Sequence, residues 1–111
     1  MADSCPVCGE PPFHHADFDS RHLGVDEDGG RFGEVSLERC RSCGRLWLRY
    51  LVEVEGFTSS GRWYRGAISE AEAEAITPAD AIDYLGRLEW HFLGGSYYRS
   101  AGMKGTGEIR A

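Results

Sequence analysis

Four cysteines in two Cys-x-x-Cys pairs, Cys5-Pro6-Val7-Cys8-Gly9 and Cys40-Arg41-Ser42-Cys43-Gly44, are the residues of this chain best suited to chemistry, and that chemistry is metal binding. Each pair aims two sulfurs at one ion, and 31 residues separate Cys8 from Cys40, enough for two strands and a turn that bring the pairs together. Glycine follows both pairs, and it takes the positive φ of a tight knuckle at little steric cost. Four thiolates close a tetrahedral sphere with no position left for water or substrate, the mark of a structural zinc rather than a catalytic one. One Zn2+ per chain on Cys5, Cys8, Cys40 and Cys43 is therefore the expected cofactor. Iron is the alternative, because tetrahedral sulfur ligation suits both metals. Zinc with four thiolates is doubly negative, and Arg39, Arg41 and Arg45 bracket the second knuckle where they can offset it.

Disulfides are not expected. The start, Met1-Ala2-Asp3-Ser4, has neither the basic nor the apolar stretch of a secretory signal, which points to a reducing, cytoplasmic location. A thioredoxin-like redox pair opens a helix in a βαβ context, whereas both pairs here are flanked by strand-like sequence.

Three further groups could act at a surface. His14, His15, Asp17, Asp19 and His22 mix imidazole and carboxylate. On a strand His15, Asp17 and Asp19 share one side while His14 and His22 take the other, so a solvated polar face is the plainer reading. Trp47, Arg49, Trp63, Tyr64 and Arg65 interleave aromatics with cations, as single-stranded nucleic-acid platforms do, although aromatics also build small sheets. Trp90, His91, Phe92, Tyr97 and Tyr98 form the densest aromatic stretch, either a cap on the core or a docking patch. No nucleophile elbow, P-loop, dinucleotide fingerprint or zinc-protease motif is present, so catalysis is not expected.

The elements that position these residues are legible in part. An extended segment over 13–23 leads to the acidic turn Asp26-Glu27-Asp28-Gly29-Gly30, and Phe32 to Arg39 returns toward the second knuckle. The clearest strand follows, with Leu46, Leu48, Tyr50, Val52 and Val54 on one face and Trp47, Arg49, Leu51, Glu53 and Glu55 on the other. Thr58-Ser59-Ser60-Gly61 reads as a turn and Arg62 to Ile68 as a return strand. Ser69 and Glu72 have capping-box spacing. Thr77, Pro78 and Asp80 open a helix on which Ala81, Ile82, Leu85, Leu88, Phe92 and Leu93 recur, closed by Gly94-Gly95.

The expected fold is α+β: an N-terminal zinc ribbon with a small antiparallel β-sheet over residues 1–57, a return strand and a C-terminal helix packed on that sheet over 58–95, and a mobile tail over 96–111. At 111 residues this is one domain, helped by a metal staple. No stretch approaches a transmembrane span. The net charge of −6 weakens generic affinity for nucleic acid. Residues 39–66 nevertheless carry +4 between acidic neighbours, which leaves a local basic patch available. Asn and Gln are absent and arginine outnumbers lysine eleven to one, the bias of a GC-rich bacterial gene.

The paired Cys-x-x-Cys-Gly knuckles resemble those of the zinc-ribbon and rubredoxin-like group over residues 5 to about 57. The resemblance implies one metal on Cys5, Cys8, Cys40 and Cys43. The expected function is a non-catalytic, zinc-stabilised protein-interaction or adaptor module with an unidentified protein partner or self-association. The alternatives are a nucleic-acid-binding zinc ribbon and a rubredoxin-like iron electron carrier. Candidate contact residues are Trp47, Arg49, Trp63, Arg65, Trp90, Tyr97 and Tyr98.

Overall fold

The strong period-two pattern of residues 46–52 sits near the middle of an antiparallel sheet whose six strands follow the chain in order, each beside its predecessor. A computed structural model describes residues 5, 7–9, 13–27, 32–53 and 61–109. The strands are β1 (Phe18–Asp26), β2 (Gly33–Cys40), β3 (Leu46–Val52), β4 (Arg62–Ile68), β5 (His91–Gly95) and β6 (Ser100–Gly105). Between β4 and β5 lie two short helices, α1 (Glu70–Ala75) and α2 (Ala81–Arg87), joined through a 3-10 turn at Pro78–Asp80. Residues 28–30 of the acidic turn, residues 58–60 of the next turn, Val54, Glu55 and the expected boundary at 57 lie outside the described residues.

Both faces of the sheet are covered, and this explains why β3 is buried almost throughout. On one face Val35, Leu37, Leu46, Leu48, Tyr50, Val52, Tyr64 and Ile68 meet Ala73, Ile76, Ala81, Ile82 and Leu85 of the helical connection. Gly66 makes the close approach possible, since a Cβ there would stand 2.3 Å from Leu88 Cδ1 and 2.8 Å from Leu85 Cδ2. On the other face Cys5, Cys8, Phe18, Cys40, Trp47 and Phe92 form a second core, flanked by Val7, Phe13, Trp63, Ala67 and Trp90. The alternation of β3 thus sends Leu48 and Tyr50 into one core and Trp47 into the other.

This architecture overturns the expected α+β fold. Among the described residues there is no separate N-terminal ribbon: β1 and β2 are the first strands of the continuous sheet, because β2 pairs along its other edge with β3. The helices are not C-terminal, and the long helix expected to run to Gly94 stops at Arg87. Leu88 is already extended, with φ −66° and ψ 153°. Phe92 and Leu93 fit a helical stripe by spacing but occupy adjacent strand positions facing opposite cores. Aromatic side chains favour the pleated, covered surface, and β4 supplies the edge on which β5 pairs. Residues 100–105, expected within a tail, pair as β6 with β5. The start of α1 agrees with its sequence signal: Glu72 N–H donates to Ser69 Oγ, and Ser69 N–H donates to the Glu72 carboxylate.

Candidate metal centre

Each knuckle is closed by the same backbone hydrogen bond, from the glycine N–H to the carbonyl of the first cysteine four residues earlier: Gly9 to Cys5 and Gly44 to Cys40, both 2.8 Å. Gly44 has φ +80°, the left-handed conformation that completes the turn without a Cβ penalty. The second knuckle is the β2–β3 connection itself, tied by Cys40 N–H to the Arg45 carbonyl at 2.9 Å, and Arg41 N–H reaches the Asp17 carbonyl ahead of β1. The knuckle inherits its position from two paired strands, whereas the first knuckle reaches it from before β1.

The four sulfurs converge. Cys5 Sγ lies 4.0 Å from Cys40 Sγ and Cys8 Sγ 3.4 Å from Cys43 Sγ, with all four ligand atoms within 4.8 Å of one another. A tetrahedron with metal–sulfur bonds of ~2.3 Å has an edge of about 3.8 Å, so the donor set fits one tetrahedral ion. These separations are far from a disulfide bond of about 2.05 Å, and all four cysteines are free. Cys5, Cys8 and Cys40 are buried and Cys43 is exposed. The backbone N–H groups of Cys8 and Val7 pull the Cys5 thiol down from its ordinary 9.0 to about 6. Burial drives Cys8 and Cys43 the other way, toward the protonated thiol. A bound cation would replace those protons, since the thiolate is the form that ligates metal. Among the described residues this is the one group of at least three His, Cys, Asp or Glu side chains placed to hold an ion.

The arginines around the second knuckle have specific partners. Arg39 pairs with Glu70 on α1 and donates to the Gly44 carbonyl at 3.0 Å. Arg41 pairs with Asp19 at 3.0 Å, and the Arg45 guanidinium lies 5.4 Å from the Trp47 ring centroid. Among the described residues the buried arginine is instead Arg65. Its side chain is 3% exposed and paired with Glu38, itself 6% exposed. Burial holds the Arg65 guanidinium below its ordinary range; the charge of Glu38 opposes that lowering and the like charge of Arg49 adds to it. Phe18, Phe13 and Trp47 surround the guanidinium, with ring centroids 4.1, 4.5 and 5.1 Å from Cζ.

The remaining sequence candidates separate. Trp47 is wholly buried and Arg65 nearly so, which takes both off the surface; Arg49 and Trp63 stay partly exposed. Trp90 is half-buried, packed edge-on to Phe92 at 5.2 Å and beneath the Lys104 ammonium. Tyr98 is half-buried with its hydroxyl 2.7 Å from that of Tyr64, whereas Tyr97 is 58% exposed. His14, His15, Asp19 and His22 are exposed and spread over the segment before β1 and along it, with Asp17 partly covered. Glu38 was not singled out in the sequence, although one signal pointed to it: it stands two residues before Cys40 on the same strand, and therefore on the metal face.

No helix among the described residues is long and apolar enough to cross a membrane. Comparison of this chain with family models, with curated proteins and with solved structures finds no match.

Proposed function

We propose that the protein is a non-catalytic interaction module, working in a reducing compartment such as the cytoplasm, whose fold is held by one zinc ion on Cys5, Cys8, Cys40 and Cys43. The observation that carries this reading is the place of the cluster: three of its four cysteines belong to the second hydrophobic core with Trp47 and Phe92. An ion there ties the first knuckle to the β2–β3 connection and joins the core, with no ligand position left for a substrate. The contact surface we assign to the β5–β6 end. Tyr97 and Met103 are 58% and 42% exposed there, and β6 is an edge strand. Such an edge suits a protein partner or a second copy of the chain.

The test is elemental analysis of protein from iron-replete cells, followed by chelation, together with sedimentation of the natural chain and Tyr97→Ser. One zinc per chain, unfolding on chelation and association weakened by Tyr97→Ser at unchanged metal content are expected. A metal-free protein that keeps its structure would overturn the structural role. Association indifferent to Tyr97 would move the contact surface elsewhere.

The exposure of Cys43 favours a second reading, a rubredoxin-like iron centre, because a ligand at the surface offers an electron a way out. A red chromophore that bleaches reversibly on reduction after iron reconstitution would select it. A nucleic-acid surface has less support, since Trp47 and Arg65 lie inside.

A further inference from the structure

On the face of the sheet that carries the cysteine cluster, a cleft of about 380 Å³ is lined by Phe13, Phe18, Trp63, Arg49, Arg65 and Glu38 and by none of the four cysteines. Its size lies at the small end of ligand sites, which run from about 300 to 1,000 Å³.

Arg65 is the informative residue. One guanidinium nitrogen, Nη1, bonds Glu38, while Nε and Nη2 are buried without a hydrogen-bond partner among the described residues. Those two nitrogens form one edge of the guanidinium, and their N–H groups run parallel, the fork that matches both oxygens of a carboxylate or phosphate. A buried donor left without an acceptor is costly, and here two adjacent donors share that condition.

The charges agree with the donors. Arg49 on β3 stands directly opposite Arg65 on β4, and like charges facing across a ladder destabilise it. Arg49 makes no ion pair or hydrogen bond with the described residues, so among these Glu38 balances only one of the two cations. That edge is covered, with the Phe13 and Phe18 rings against the guanidinium, so an anion reaches it by displacing a covering side chain; once there it would satisfy the fork and relieve this repulsion. Phe13, Phe18 and Trp63 supply apolar walls for a flat body attached to it.

We infer that this cleft is a binding site for a small molecule bearing a carboxylate or phosphate on a flat apolar body, gripped by the Nε–Nη2 edge of Arg65 with Arg49 as the second cation. The cleft is lined by none of the four cysteines, and β6 contributes only Ala101 to its rim, so the site stands whichever metal the cysteines hold.

The experiment titrates the metal-loaded full chain with benzoate, phenyl phosphate and neutral benzamide, following the Arg65 Nε–H resonance by NMR. At least one anion is expected to bind at about 1 mM and shift that resonance, with benzamide inert. The stronger of the two identifies the group as carboxylate or phosphate. Arg65→Lys keeps the charge beside Glu38 but loses the fork, and should weaken binding by about 10-fold or more. Arg49→Met leaves the buried pair intact and should weaken binding about threefold. Silence of the Arg65 signal at saturating concentrations of both anions would overturn the inference, as would benzamide binding as well as benzoate. Should Arg65→Lys fail to fold, the Arg65 resonance and Arg49→Met still decide the question.

Discussion

Replacing Glu38 with glutamine removes one charge from the interior and preserves the side-chain shape. Arg65 is then left as a cation on a side chain 3% exposed, with two nitrogens already lacking partners and Arg49 across the ladder. Removing one member of a buried ion pair costs about 3–5 kcal/mol. The glutamine oxygen still accepts from Nη1, and the Phe18, Phe13 and Trp47 rings still attract the cation, which sets the expectation at the lower end, about 3 kcal/mol. With a urea m-value of about 1.5–2 kcal/mol/M, the unfolding midpoint should fall by roughly 1.5–2 M. Tryptophan fluorescence is a local reporter, because Trp47, Trp63 and Trp90 all belong to or border this core. A second arm replaces both charges at once. Glu38→Leu with Arg65→Met puts a flexible thioether among the rings and should lie within about 1 kcal/mol of the natural pair. A midpoint shift below about 0.5 M for Glu38→Gln, or a double variant as unstable as the single one, would refute the reasoning.

Three other outcomes are expected. Gly66→Ala pushes a methyl group to 2.3 Å from Leu88 Cδ1, and because the obstructing atoms are ends of flexible side chains the loss should be about 1–3 kcal/mol by urea titration. Ser69→Ala removes the hydroxyl that accepts from Glu72 N–H and should lower stability by about 1 kcal/mol, with Ser69→Asp retaining most of it. Burial depresses the pKa of His91 below its ordinary 6.5, so below that pH the unfolded chain binds a proton that the folded chain resists, and stability falls with acidification. His91→Leu should flatten this limb between pH 7.5 and 5.5; an unchanged pH slope relative to the natural protein would assign the acid sensitivity to the metal ligands alone.

The four-cysteine cluster was legible because its information is local. Two Cys-x-x-Cys-Gly turns specify paired sulfurs through backbone geometry within five residues, and Gly44 and the Gly9–Cys5 and Gly44–Cys40 hydrogen bonds realise that geometry. The alternation of β3 and the Ser69–Glu72 capping box were legible for the same reason. Residues 88–95 were not, because Leu88, Phe92 and Leu93 satisfy a helical stripe while Phe92 and Leu93 equally suit the two faces of a strand.

Sequence by itself determined the two cysteine turns that form the cluster and the face each residue of β3 presents, both of them consequences of short-range chain geometry. Tertiary structure alone decided that the supposed ribbon is part of a six-stranded meander, that its helices lie before β5, and that Arg65 is buried against Glu38 two strands away. Strand pairing and ion pairing depend on which distant segments share an edge or a face, and an amino-acid pattern with period two states which side a residue takes without stating what lies there.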